Sequence, residues 1–304
     1  MTRHQPEHHQ PEHHQPEHHH PAHGHPAHDH PVPGQEAGGG LAETAELVLP
    51  ALALLACAAA YLWLAHRARR RNPVQGWSRR RTASFLTGLA LLLTALLPPT
   101  ATAAHHDFRA HMVQHLLIGM YAPLALVLGA PVTLLLRTLP ATRARRLTAV
   151  LHSRPARLLA HPAVALTLSV GTLAALYFTP LYNTATASPA GHWLLHAHFL
   201  LAGCLFAHVI AGPDPAPSRP GVRTRLVCVG IAIAAHAVIA QLLYGGFWTD
   251  IDAPVHEIRT GGEIMYYGGD IAELLLAGAL FATWRPSPPR TPPDRSPARG
   301  TGYA

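Results

Sequence analysis

Two pairs of histidines are conspicuous because each has a four-residue spacing inside an otherwise apolar stretch. His111 and His115 occur in HMVQH, and His192 and His196 occur in HWLLH. Residues four apart lie on the same face of a helix, so each pair presents two imidazoles side by side. Ionisable groups within apolar spans are costly and usually functional, and imidazole is a common ligand of Cu, Zn and Ni. The two pairs therefore predict a metal or redox site.

A fifth histidine, His236, lies in a later apolar stretch, eight residues before Tyr244, which is roughly 12 Å along a helix. Met112 and Met265 place thioethers near the outer ends of their stretches, where no cysteine occurs. Imidazole and thioether without thiolate favour copper over a structural zinc site. The alternative is a polar belt of imidazoles that bind water and lipid headgroups. The predicted copper ligands are His111, His115, His192, His196 and His236.

The other ionisable residues of the apolar stretches have less specific patterns. His198 and His208 are isolated, and a single histidine in a span more often forms a hydrogen bond between helices. Asp270 and Glu273 fall within the last stretch. These two acids could balance the charge of a bound cation, form part of a proton path, or pair with a histidine or a backbone amide. The sequence leaves these alternatives open.

The elements that must position these residues are long and apolar. A bilayer core requires about 20 apolar residues per helix, and backbone groups in lipid must be paired within the segment, which favours helices. The sequence therefore predicts an all-α, polytopic membrane protein, a bundle of seven transmembrane helices with disordered tails. The predicted spans are Glu46–Ala65, Ala83–Ala104, His111–Leu136, Pro162–Tyr182, His192–Gly212, Leu226–Tyr244 and Ile264–Trp284.

The arginines predict how these spans are oriented. All 23 basic residues are arginine, and 20 of them lie after the first, third, fifth or seventh span. Basic connections stay in the cytoplasm. The protein is therefore predicted to cross the bacterial cell membrane with its N-terminus outside and its C-terminus inside.

Composition excludes a soluble enzyme and a nucleic-acid-binding protein. Only 13% of the residues are charged, about half the usual fraction, and the net charge of +7 comes from connections that suit topology and anionic lipid. Twelve of the 25 histidines lie in the first 30 residues, partly as HQPEH repeats, a composition typical of disorder and of weak metal capture. The predicted organisation is a disordered His-rich outer tail (residues 1–40), a membrane domain (residues 41–285) and a disordered Pro/Arg-rich cytoplasmic tail (residues 286–304).

In the motifs that contain these histidines, the chain resembles the CtaG family of bacterial cytochrome c oxidase assembly factors. This is the seven-span family associated with caa-type oxidases, and it differs from the single-span thiol copper chaperone of the same name. The resemblance runs from Pro50 to Trp284, and its most specific stretch is HMVQHLLIGMYAPLALVLGAPVTLLLRTLP. Tyr266 stands where the family usually has Trp, and Asp250 to Glu257 match an expected acidic pair poorly. The further matches are HP at His161–Pro162, LYFTPLY at Leu176–Tyr182, HWLLHAHFLLAG at His192–Gly203, GPDP at Gly212–Pro215 and GGEIMYYGGD at Gly261–Asp270.

The resemblance implies a membrane factor that helps a haem-copper oxidase to mature by assisting copper to reach its catalytic subunit. The partners would be the oxidase subunits and the lipid bilayer. No nucleophile–base pair, phosphate-binding loop or metallohydrolase motif occurs in the sequence, so no enzymatic activity is predicted. Two alternatives remain: a b-type haem protein that transfers electrons, since histidines on facing helices can ligate haem, and a copper permease.

Overall fold

The chain is built from helices wherever its structure is described. A computed structural model describes the backbone of residues 35–216 and 219–284 and the side chains of residues 48–216 and 219–284. The helices in chain order are α1 (Gln35–Arg71), α2 (Arg79–Leu96), α3 (Thr100–Ala104), α4 (Phe108–Leu116), α5 (Ala122–Leu128), α6 (Pro131–Thr138), α7 (Ala141–Leu151), α8 (Arg154–Leu159), α9 (Pro162–Leu166), α10 (Thr172–Tyr177), α11 (Leu181–Thr186), α12 (Pro189–Ala211), α13 (Val222–Gly245) and α14 (Val255–Thr283).

The chain divides into two compact units, Met1–Glu43 and Thr44–Ala304. Of the first unit, only the backbone at the start of α1 is described. Residues 35–40 of the predicted disordered tail are helical there, because α1 begins at Gln35. The remainder of that tail, with its histidine repeats, and the predicted tail over residues 286–304 lie outside the described residues.

Five helical segments in the described part of the chain are long and apolar enough to cross a bilayer. They confirm the all-α fold and the multi-pass membrane character predicted from the sequence, whereas the count of seven spans is not confirmed. The segment that starts at Val48 is the least buried: 11% of its 18-residue apolar window is buried, against 39–44% in the others. The five segments are Val48–Arg71, Phe108–Thr138, Pro189–Ala211, Val222–Gly245 and Val255–Thr283.

The other two predicted spans are helical but shorter, for identifiable reasons. The second is divided into α2 and α3 by Pro98 and Pro99, because proline interrupts helical hydrogen bonding, and α2 begins with three arginines. In the fourth predicted span, the continuous apolar helical segment covers only Pro162–Tyr177. That segment is about 24 Å long against a bilayer core of about 30 Å.

The third predicted span changes helix type just after its histidine pair. A π-helical turn over Leu117–Tyr121 joins α4 to α5. Pro123 lacks an N–H and leaves the carbonyl of Gly119 without its helical partner. Gly203 of α12 packs against this carbonyl. A Cβ atom at position 203 would lie 2.1 Å from the Gly119 oxygen, so only glycine fits there. The backbones of the two histidine-bearing segments therefore touch about one helical turn after His115 and two turns after His196.

The same span breaks completely before α6. Ala130 adopts the left-handed conformation, with φ 52°, which a non-glycine residue rarely adopts, and Pro131 begins α6. The carbonyl of Gly129 accepts a hydrogen bond of 2.7 Å from the Tyr61 hydroxyl, so the break does not leave that group unpaired.

Asp214, from the GPDP sequence, caps α6 across the bundle. Its carboxylate accepts hydrogen bonds from the backbone N–H of Val132 at 3.1 Å and of Thr133 at 2.7 Å. Arg219 donates to the backbone carbonyls of Gly212 and Asp214 and holds the connection in place. A carboxylate at a helix N-terminus satisfies free N–H groups and interacts favourably with the helix dipole.

We expect Asp214→Ala to lower the free energy of unfolding by about 2 kcal/mol, because two partly buried N–H groups lose their acceptor. Asp214→Asn keeps one acceptor oxygen and should lose about half as much. Thermal unfolding in detergent, followed by circular dichroism, measures both. An Ala variant as stable as the wild type would show that this cap is dispensable.

The core of the bundle lies between α4, α5, α12, α13 and α14. Its fully buried side chains include Met112, Tyr177, Leu243 and Met265. A second apolar cluster joins α1 and α2 around the stacked rings of Tyr61 and Phe85. The five predicted ligands all belong to α4, α12 and α13, so the larger core positions them.

Candidate metal centre

The two histidine pairs are buried in the bundle. His111 and His115 of α4 are 2% and 4% exposed, and His192 and His196 of α12 are 8% and 9% exposed. Each pair lies on one helical face, as its spacing predicts, and that face is turned inward. The alternative of an interfacial belt requires imidazoles that face headgroups, and this degree of burial disfavours it.

The two pairs meet between α4 and α12. The ring centroids of His111 and His192 are 6.5 Å apart, and those of His192 and His196 are 4.3 Å apart. The close backbone contact at Gly203 explains why two separate helices can bring imidazoles this near. We call His111, His192 and His196, together with His105 described next, the outer cluster.

His105 joins this cluster although the sequence analysis did not choose it as a ligand. It follows α3, is exposed, and its ring centroid lies 4.6 Å from that of His192. The outer cluster thus extends from an exposed imidazole at the surface to the buried His111. A histidine six residues before His111 in the sequence was the available signal, but the turn between α3 and α4 that redirects it was not predictable.

Aromatic side chains surround the two α4 histidines and isolate them. The ring of His111 is 5.0 Å from Tyr182, and that of His115 is 4.4 Å from Phe199. Among the described residues, no nitrogen of His111 or His115 has a hydrogen-bond partner. Buried polar atoms without partners are unfavourable, and each neutral imidazole has one lone-pair nitrogen, so both rings are available to a ligand that the surrounding residues do not provide.

Gln114 determines which nitrogen of His196 is free. Its side-chain NH₂ donates to the carbonyl of Ala95 at 2.8 Å, so its oxygen faces His196 Nε2, 3.2 Å away. An amide oxygen only accepts, and His196 must therefore carry its proton on Nε2, which leaves the lone pair on Nδ1. Metal-binding histidines are commonly oriented in this way by a hydrogen bond to the other ring nitrogen. Sequence reasoning missed this role, although Gln114 lies within HMVQH.

His236 lies apart from the outer cluster, beside Glu273. Its Nδ1 is 3.5 Å from Glu273 Oε1, and both side chains are 4% exposed. Gly269 makes room for the ring, because a Cβ atom there would lie 2.3 Å from His236 Cε1. The pairing of Glu273 with a histidine is one of the alternatives that the sequence left open. Asp270, by contrast, is half-buried and is not among the residues around this pair.

Acidic residues also fix the start of α4. Glu257 of α14 accepts a hydrogen bond of 3.0 Å from the backbone N–H of Phe108, and Asp107 accepts one of 2.8 Å from that of Arg109. The side-chain hydrogen bond from Arg109 lowers the pKa of Asp107. Both carboxylates thus accept hydrogen bonds from free N–H groups at the N-terminus of α4. They orient its first turn, which carries His111.

The isolated histidine His198 behaves differently from the pairs. Its Nε2 lies 3.0 Å from the Thr172 hydroxyl of α10, which confirms the predicted hydrogen bond between helices. His198 therefore provides a matched control on α12 for experiments on its neighbours.

The five predicted ligands thus form two groups and not a single shell. His111, His192 and His196 lie in the outer cluster, whereas His115 and His236 border a space deeper in the bundle. Within the described residues, no three His, Cys, Asp or Glu side chains are already close enough to hold one ion. The assignment of these five histidines to copper stays a prediction.

The fold and the cluster define a class, that of multi-pass helical membrane proteins with imidazoles buried inside the bundle. Residues 59–287 match the family described as "Cytochrome c oxidase caa3 assembly factor (Caa3_CtaG)", and the chain belongs to this family. The resemblance found from the sequence motifs is thereby confirmed. The family's description names an assembly role and no reaction.

Mycobacterial proteins are similar to the same region. The uncharacterized protein Mb0105 of Mycobacterium bovis is 31% identical over 235 residues, which cover 71% of this chain and 35% of that protein. The uncharacterized protein ML1998 of Mycobacterium leprae is 30% identical over 227 residues, 68% of this chain and 34% of that protein. The chain therefore spans about a third of the length of these curated relatives. No solved structure matches the sequence.

Proposed function

We propose that this protein binds copper at the outer face of the membrane and assists its insertion into the catalytic subunit of a cytochrome c oxidase. The observation that carries the proposal is the meeting of buried imidazoles from α4 and α12, including the unpartnered nitrogens of His111 and His115. Imidazole is a good ligand for copper. Unpartnered lone pairs in a buried site are a cost that a bound ion removes.

The proposed ligands are the five predicted histidines, His111, His115, His192, His196 and His236. The thioethers of Met112 and Met265 are engaged in the core: both are 0% exposed, and Met112 Sδ lies 3.9 Å from the Tyr177 hydroxyl. Copper bound in this way is cargo, held for transfer to the oxidase.

We further propose seven crossings of the bacterial cell membrane, with the N-terminus outside and the C-terminus in the cytoplasm. The arginine distribution supports this orientation. In the seven-span arrangement, α2 and the Pro162–Tyr177 segment are the two short crossings, shielded by their longer neighbours. Large apolar side chains on the outside of the spans, such as Leu52, Leu55 and Trp63, are exposed and suit contact with lipid.

Deletion of the gene tests the assembly role. We expect oxidase activity and oxidase-bound copper to fall together in the same membranes, with the largest loss when copper is scarce. Both are measured on one membrane preparation, with and without a plasmid-borne copy. Unchanged oxidase activity under copper limitation would contradict the proposal, and a reduced-haem absorption band in the purified protein would instead favour an electron-transfer cytochrome.

A further inference from the structure

A cavity lies beneath the outer cluster and is lined by residues of the histidine-bearing helices. Its volume is about 50 Å³, room for a few waters or for one ion. Most of the wall is apolar, for example Leu124, Phe199 and Leu276. The polar and sulfur-bearing groups on the wall are His115, Met120, Ser169, His236 and Glu273.

Unpartnered polar atoms concentrate around this cavity. Within the described residues, both nitrogens of His115, Nε2 of His236 and Oε2 of Glu273 are buried without a hydrogen bond. All three side chains are more than nine-tenths buried. Buried donors and acceptors normally find partners, so three residues on α4, α13 and α14 that leave theirs free around one space indicate a ligand within it.

Glu273 is the acidic side chain on the wall of the cavity. A carboxylate in a low-dielectric interior requires a positive partner, and the neighbouring group is the imidazole of His236. The described arginines lie elsewhere: Arg225 of α13, for example, donates to the carbonyl of Ile210. One carboxylate neutralises one positive charge, whereas a divalent ion would leave a net charge buried.

We propose that this cavity is a second, inner cation site, specific for a soft monovalent ion, Cu⁺. His115 and His236 supply nitrogen ligands, Met120 a thioether, and Glu273 the compensating charge. The inference rests on the proposed copper function and deepens it, because it divides the five histidines between two sites and adds Glu273, which the sequence left unassigned. The ion reaches the inner site from the outer cluster, since His111 and His115 are one helical turn apart on α4.

The proposed ligands line the cavity but are not yet close enough to hold one ion, since the described part of the chain contains no ready-made three-residue site. Binding therefore requires the side chains to turn inward. Gly119 and Gly269 provide the space for this movement, because they place no side chain against His115 and His236. The cost of the movement is offset because the ion satisfies one nitrogen of His115, Nε2 of His236 and Oε2 of Glu273 at once.

The test is a Cu⁺ titration of the full-length protein in detergent, under reducing conditions and in competition with a chromophoric Cu⁺ chelator. The variants are Glu273→Gln and His236→Leu, with Asp270→Asn as the matched control one turn away on α14. The N-terminal histidine repeats are the same in every chain, so they cancel in the comparison. We expect the first two variants to lose one tightly held Cu⁺ or to bind it roughly 10- to 100-fold more weakly, while Asp270→Asn binds like the wild type.

Each outcome separates this inference from the proposed function. Wild-type binding in both Glu273→Gln and His236→Leu would overturn the inner site and leave the outer cluster standing. If the wild type bound no Cu⁺ beyond what a His111→Leu/His192→Leu chain binds, the proposed function would fail as well. Zn²⁺ that displaced Cu⁺ from the inner site would refute the charge argument. Because Glu273→Gln preserves shape, it reports binding even if His236→Leu does not fold.

Discussion

A chain with His111→Leu and His115→Leu together should fold normally and lose the copper binding that we propose for the wild type. None of the four nitrogens removed has a hydrogen-bond partner within the described residues. Their replacement by apolar side chains of similar size should therefore change the free energy of unfolding by less than about 1 kcal/mol, or increase it. Copper affinity should fall at least about 100-fold, because even a change to a residue that only orients a ligand costs 10- to 100-fold.

Competition with a copper chelator measures the affinity, and thermal unfolding measures the stability of the same preparations. The control is His198→Leu, which removes an imidazole that is hydrogen-bonded to Thr172. It should bind copper normally and be destabilised by about 1 kcal/mol. In cells, the double variant should match the gene deletion in oxidase activity. A stable double variant that still bound copper like the wild type would exclude these two residues as ligands.

Gly203→Ala should have the largest effect on stability. The added methyl would lie 2.1 Å from the carbonyl oxygen of Gly119 and 2.8 Å from Pro123 Cγ. Because the first neighbour is backbone, a rotamer change cannot relieve the clash, and α12 must move away from the third span. We expect a loss of about 3 kcal/mol in the free energy of unfolding. Copper binding should weaken too, since the same movement separates His111 from His192.

Gly230→Ala is the matched control, because Gly230 also lies within a long apolar helix but its added methyl meets nothing within 4 Å. Alanine favours a helix more than glycine, so this variant should gain up to about 1 kcal/mol. Thermal unfolding of the two variants in one detergent gives the comparison. Equal stability of both would show that the backbone contact between Gly119 and Gly203 is not needed to hold the helices together.

The sequence predicted the parts of this site that depend on periodicity within one helix. The four-residue spacing placed His111 with His115 and His192 with His196, and the apolar content around them predicted helices that cross a bilayer. The isolation of His198 in the sequence correctly predicted a hydrogen bond between helices. In each case, the spacing along a single helix was sufficient to give the result.

The features that the sequence did not reveal depend on contacts between elements. Gln114 orients His196 only because the carbonyl of Ala95 holds its amide in one direction. Asp214 caps α6 from a distant connection, and Glu257 caps α4 from α14. Residue composition does not identify such partners, because a carboxylate can accept a hydrogen bond from any N–H group that the fold brings near it.

The number of spans shows a different limit of sequence analysis. The apolar stretch Ala83–Ala104 is long enough to be counted as one span, but prolines 98 and 99 divide it. The stretch Pro162–Tyr182 loses its last turn at Phe178, where the helix ends. Hydropathy averages over such interruptions, whereas a continuous helix does not tolerate them.

The hydrogen bond between Glu257 and the N–H of Phe108 joins residues 149 positions apart. A ribosome therefore delivers His111 and His192 long before it delivers the acceptor that completes the first turn of α4. Until Glu257 has been synthesised, the N-terminus of α4, which carries His111, lacks this hydrogen bond. The capacity to retain a metal should accordingly arise only when the last helix has entered the bilayer, so that truncated chains released early would be unable to sequester it.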